Sequence, residues 1–135
     1  MKQGFVKVAS ATPRIRVADP VYNAQVICEQ AKEAAEHGAK IVVFPELCIT
    51  GYTCNDLFLQ ELLLEKAKEA LLTIAEETGQ LETLFLVGLP VDKDGRLYNV
   101  AAVLYRGRIL GMIPKKNIPM YAEFYEGRHF TPGEE

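Results

Sequence analysis

Apolar residues come in two spacings along this chain, short runs and three-or-four-residue repeats, and their order outlines the fold. Gly4 to Ser10 carries Phe5, Val6, Val8 and Ala9 and reads as a first strand, stopped by Ala11-Thr12-Pro13. Arg14 to Val17 is a loop. Asp19-Pro20 then starts a helix: the carboxylate accepts from free amides, and proline fits the first turn, where no donor is required. Ala24, Ile27, Cys28, Ala31, Ala34 and Ala35 give that helix one apolar face as far as about His37. Gly38 supplies the left-handed stop, and His37 beside it eases the helix's negative end.

Ile41 to Pro45 is wholly apolar, which suits a strand covered on both faces and ended by its proline. Strand, helix, strand in immediate succession is a crossover unit, so these two strands should lie parallel. Past the loop GYTCN, Asn55 or Asp56 caps a short turn. A second helix spans Gln60 to Glu77, with Leu63, Ala67, Ala70, Leu71 and Ile74 buried and a solvated face of glutamates and lysines. Leu84 to Leu89 is a further strand, ended by Pro90. Asp92 to Gly95 forms a tight turn, and Tyr98 to Tyr105 and Arg108 to Ile113 make an antiparallel hairpin joined at Arg106-Gly107. The remainder, from Pro114 on, holds three prolines and four aromatics without any period, so it should owe its order to specific contacts. It stops on Thr131-Pro132-Gly133-Glu134-Glu135 with no closing element, as if cut from a longer chain.

With 135 residues, 49% of them hydrophobic, one α/β domain is expected. A net charge of −3 with scattered basic residues gives no footprint for nucleic acid or a membrane surface. No run approaches a membrane span and no signal peptide opens the chain, so a cytoplasmic location is expected. Cys28, Cys48 and Cys54 lack metal-ligand spacing, as do His37 and His129; free thiols and no metal site are expected, with Cys28 in the core.

Two residues carry candidate chemistry. Glu46 leaves the C-terminal end of the second parallel strand, the edge where open α/β sheets gather their ligand loops. Lys115 follows the last strand and faces the same edge. A carboxylate beside an ammonium suits base-assisted attack on a carbonyl, the acid taking a proton from the nucleophile and the ammonium stabilising the oxyanion. A plain ion pair uses the same two residue types. These residues alone leave both readings open, and no nucleophile is visible.

FPELCITGY at Phe44 to Tyr52, with YRGRILGMIPK and its lysine, closely resembles the nitrilase (carbon-nitrogen hydrolase) superfamily. GYTCNDLF and PKKNIPMYAEFYEGRHF further resemble the glutaminase domain of glutamine-dependent NAD synthetases, along the whole chain. The resemblance implies the N-terminal half of a four-layer α-β-β-α sandwich and a Glu-Lys-Cys triad. Glu46 matches the general base and Lys115 the lysine, in preference to Lys116, because the family spacing then falls on Tyr121 as the glutamine-contacting aromatic. Tyr52 and Phe124 match pocket-lining positions, although Tyr121 and Phe124 could equally pack the loop onto the sheet, and packing is the stronger reading for Tyr52. Met120 and Ile118 depart from the subfamily's asparagine and leucine. The nucleophilic cysteine falls beyond residue 135, and neither Cys48 nor Cys54 substitutes for it.

Residues 1–135 are thus expected to be the first part of an amidase domain, inactive alone. The whole enzyme would hydrolyse glutamine and pass ammonia to a synthetase domain that uses ATP and magnesium to amidate deamido-NAD. Its partners would be glutamine, the rest of the amidase domain, the synthetase domain and further copies in a homo-oligomer. No cofactor is expected in this stretch. The alternatives are a fragment of a free-standing amidase or carbamoylase, and a non-catalytic assembly piece.

Overall fold

A computed structural model of the chain describes residues 4–118 and 129–133. Five strands form one sheet in the order β1 to β5: β1 (Val8–Ser10), β2 (Ile41–Val43), β3 (Leu84–Lys93), β4 (Arg96–Tyr105) and β5 (Arg108–Pro114). β1, β2 and β3 are parallel, and β3, β4 and β5 are antiparallel. Helices α1 (Pro20–Glu36) and α2 (Glu61–Glu77) fill the two crossovers, and a 3-10 turn over Asn55–Leu59 leads into α2.

Local chemistry sets the boundaries. The Asp19 carboxylate accepts from the Tyr22 amide at 3.2 Å, and Pro20 opens α1. At the other end the His37 ring meets the Glu33 carbonyl at 2.8 Å, and Gly38 turns the chain at φ +87°. Asp94-Gly95 and Arg106-Gly107 have positive φ at both central positions, the backbone that two-residue hairpins require.

Both helices pack on one face of the sheet. Ile27, Ala31, Ala67, Leu71 and Ile74 from the helices meet Val42, Phe85, Val87, Leu89, Ala102 and Leu104 from the strands. Each large side chain buried there contributes about 1.5–3 kcal/mol. This is one α layer on one β layer. No helix among the described residues is long and apolar enough to cross a membrane.

Three strand expectations need correction. β1 is only Val8–Ser10, and Phe5 is exposed. β2 is three residues long and covered by the helices on one face only, with Val43 exposed on the other. Pro90 does not end β3, which runs on to Lys93 opposite Arg96. The carbonyls of Leu86 and Gly88 accept from Phe44 and Ile49, so even-numbered positions of β3 point their backbone toward β2. Pro90 shares that parity, and its missing donor faces a side β2 has already left.

Candidate active site

The turn that carries Glu46 is tied down from several directions. After β2, the Phe44 amide still donates to Leu86, and the chain then folds tightly, with Cys48 donating to the Pro45 carbonyl and Gly51 to that of Leu47. Leu47 takes a left-handed φ of +53°. The turn lies flat on β3: the Ile49 amide donates to Gly88 at 3.1 Å, and a Cβ on Gly88 would sit 2.4 Å from the Leu47 nitrogen. Only glycine allows that approach. From α1, fully buried Asn23 donates to the carbonyls of Ile49 and Arg16, both at 2.8 Å, and accepts from the Arg16 amide at 2.7 Å. Glu46 therefore rides on a rigid support.

Lys115 is held as firmly. Its amide donates to the Asn99 carbonyl at 2.7 Å, extending the β4–β5 ladder beyond the Val100–Pro114 pair, and its own carbonyl accepts from Gly133 at 2.8 Å. Its Nζ donates to Glu46 Oε1 in a short charge-assisted hydrogen bond. Sixty-nine residues separate the two in sequence, and they meet at one sheet edge.

The carboxylate is not buried, as its place after an apolar strand suggested. The Glu46 and Lys115 side chains are 38% and 29% exposed. Pairs this open contribute about 0–1 kcal/mol to stability. Stability is therefore a weak reason for the pair.

The other candidates fall unevenly. Lys116 is exposed. Tyr52 is half-buried against a cluster of Leu47, Cys54, Phe58, Leu97 and Phe130. Tyr121 and Phe124 lie outside the described residues. His129, which the sequence left without a role, meets Asp56 at 3.0 Å and packs near Phe58, tying the described end of the chain to the loop after Glu46. Burial pushes the Cys28 and Cys48 thiols up to about 11 and raises that of Cys54, so all three keep their protons near neutrality. Grooves of about 440 and 650 Å³ lie elsewhere, the first between the helices and the second along the hairpin; neither is lined by Glu46 or Lys115.

Sequence reasoning missed three supports: Asn23, Gly88 and Asn99. The last is 3% exposed and lies opposite Pro90 in β4, beside Lys115. Gly88 alone left a signal, as an isolated glycine in an apolar strand.

Residues 7–135 match the family model for carbon-nitrogen hydrolases. The chain belongs to the carbon-nitrogen hydrolase family. One relative is the glutamine-dependent NAD(+) synthetase of Mycobacterium tuberculosis, 40% identical over 133 residues, which are 98% of this chain and 20% of that protein. Among solved structures, the glutamine-dependent NAD(+) synthetase of Cytophaga hutchinsonii superposes with a TM-score of 0.89 at 31% identity, over 94% of this chain and 22% of that one. An amidase from Nesterenkonia sp. shares the fold, with a TM-score of 0.80 at 24% identity over 100% of this chain and 51% of its own. This carbon-nitrogen hydrolase chain thus spans about a fifth of the length of its NAD synthetase relatives.

Proposed function

We propose that this chain is the N-terminal part of the glutamine-hydrolysing domain of a glutamine-dependent NAD synthetase, with Glu46 as general base and Lys115 as oxyanion donor. The observation that carries the reading is the Lys115 Nζ hydrogen bond to Glu46 Oε1, at an edge where two rigidly held turns converge. A cysteine outside these residues would be the nucleophile. Glu46 takes the thiol proton as sulfur bonds to the glutamine carboxamide carbon, and Lys115 donates to the oxygen as it gains charge. The proton goes from Glu46 to the nitrogen, the C–N bond breaks and ammonia leaves. Glu46 then takes a proton from water as the water oxygen bonds to the thioester carbon, and returns it to the sulfur as the C–S bond breaks, releasing glutamate and the free thiol. Tyr52, Tyr121 and Phe124 would line the glutamine pocket.

The open face of the sheet would receive the rest of the domain. A separate synthetase domain would use the ammonia, with ATP and magnesium, to amidate deamido-NAD in the cytoplasm, in a homo-oligomer. Among the described residues no three His, Cys, Asp or Glu side chains group to hold a metal ion, and no step above runs through one.

The test is Glu46→Gln in the whole protein, assayed with glutamine and with ammonia supplied directly. Glutamine-dependent turnover should fall by about 10²–10⁴-fold, while ammonia-fed NAD formation is retained. Glutamine turnover at the wild-type rate would overturn the assignment. A protein that hydrolyses an amide yet forms no NAD from ammonia would point to a free-standing amidase.

A further inference from the structure

We propose that Asn99 is a positioning residue of this site, kept as the donor that steadies the Glu46 carboxylate when Lys115 turns toward the substrate oxygen. The inference rests on the hydrolase reading above and adds a residue that reading does not contain.

Register puts Asn99 there. Directly opposed residues of an antiparallel pair share a face of the sheet. Gly88 opposes Ala101 and Pro90 opposes Asn99, so Asn99 lies on the face toward which a side chain at Gly88 would point, into Pro45, Glu46 and Leu47. Lys115 donates its amide to the Asn99 carbonyl one step past the Val100–Pro114 pair, which makes the two cross-strand neighbours on that same face. Asn99 is thus part of the floor beneath the ion pair.

Its chemistry is incomplete. Asn99 is 3% exposed, and its Nδ2 has no hydrogen-bond partner among the described residues. A buried donor without an acceptor lowers stability, whereas an apolar residue of similar size would not. Asn23 shows what this chain does with a buried amide whose task is structural: its Nδ2 donates twice and its Oδ1 accepts once. An ammonium has donors only, so Lys115 cannot satisfy Asn99 through its side chain. The carboxylate beside it can accept several hydrogen bonds, and Lys115 Nζ occupies one of its oxygens. Once the ammonium moves toward a developing oxyanion, Glu46 loses that bond, and the amide on the floor is placed to replace it by side-chain rotation.

The experiment uses the whole protein and compares Asn99→Leu with wild type in thermal melting and in glutamine-dependent and ammonia-fed assays. The expected result is an unchanged or higher melting temperature, ammonia-fed synthesis intact, and a glutamine kcat lower by about tenfold or more with KM within about threefold. Asn99→Asp keeps the shape but exchanges the amide for an acidic group; it should lower kcat in the same way, and if the leucine variant does not fold, wild-type kcat in the aspartate variant overturns the inference. Wild-type kcat in a folded variant overturns the inference, as does a loss of activity that only tracks a loss of stability. Glu46→Gln in the same assays separates the two claims: if it too leaves glutamine hydrolysis intact, the hydrolase reading has failed, not the role of Asn99 alone.

Discussion

On the helix-covered face of the sheet Val42, Phe85, Val87, Leu89 and Leu104 are all but closed to solvent, while on the other face Val8, Val43 and Ile113 are 62%, 45% and 59% exposed. The residue types are the same and the conditions opposite. Two amphipathic helices cover the first face, and that burial holds the described residues together. Toward the ends of β2 and β5 the second face carries Gly88, Asn99, Glu46 and Lys115, so the polar chemistry stands beside apolar surface that nothing among the described residues covers. The larger core and the candidate site thus lie on different sides of one five-stranded sheet, and the smaller cluster of Leu47, Phe58, Leu97 and Phe130 packs on the site's side.

The sharpest way to break that contrast is to shorten one side chain on each face. Leu89→Ala should cost about 2–5 kcal/mol in urea unfolding, and Val43→Ala no more than about 0.5–1 kcal/mol. Equal losses would mean the open face is not open in solution. Gly88→Ala probes the point where the two roles meet. Its methyl group would enter the backbone of Pro45 to Leu47, so a loss of about 1–3 kcal/mol is expected, together with a fall in glutamine turnover as Glu46 is pushed away. A smaller effect concerns Cys28 and Cys48, both in the core beneath the helices. These thiols hold their protons up to about 11 when folded, against an ordinary value of 9.0. Above pH 9 the unfolded chain sheds protons that the native chain keeps, so stability should fall by about 1–2 kcal/mol per thiol between pH 9 and 11 and not change from this cause below pH 9. Urea midpoints across that range, with and without Cys48→Ala, measure it.

Much of the fold could be read from local chemistry. Asp19-Pro20, Gly38 and Arg106-Gly107 mark real boundaries because capping and positive φ are properties of a few consecutive residues. Pro90 was misread because its cost depends on whether a neighbouring strand lies alongside, and β2 stops at Val43. The apolar run at β2 cannot distinguish a strand covered twice from one covered once. At the site, Glu46 and Lys115 were legible because each follows a strand end, and a parallel pair followed by a hairpin brings such ends together. Asn99 was not. In RLYNVAAVLY an asparagine between apolar residues looks like a solvent-facing position, and only the pairing with Pro90 and Lys115 reveals that it points inward. Asn23 was hidden in the same way within α1.

The backbone of Lys115 is gripped from both sides, by Asn99 through its amide and by Gly133 through its carbonyl. Gly133 can come this near because it has no side chain: a Cβ there would lie 2.8 Å from Pro114. A residue so clamped can move its charge only by turning the torsions of its own side chain, and such turns take picoseconds to nanoseconds. In the proposed mechanism, transfer of the ammonium from acid to substrate would therefore be far faster than bond breaking, and the speed of the cycle would be set by chemistry or product escape and not by the lysine.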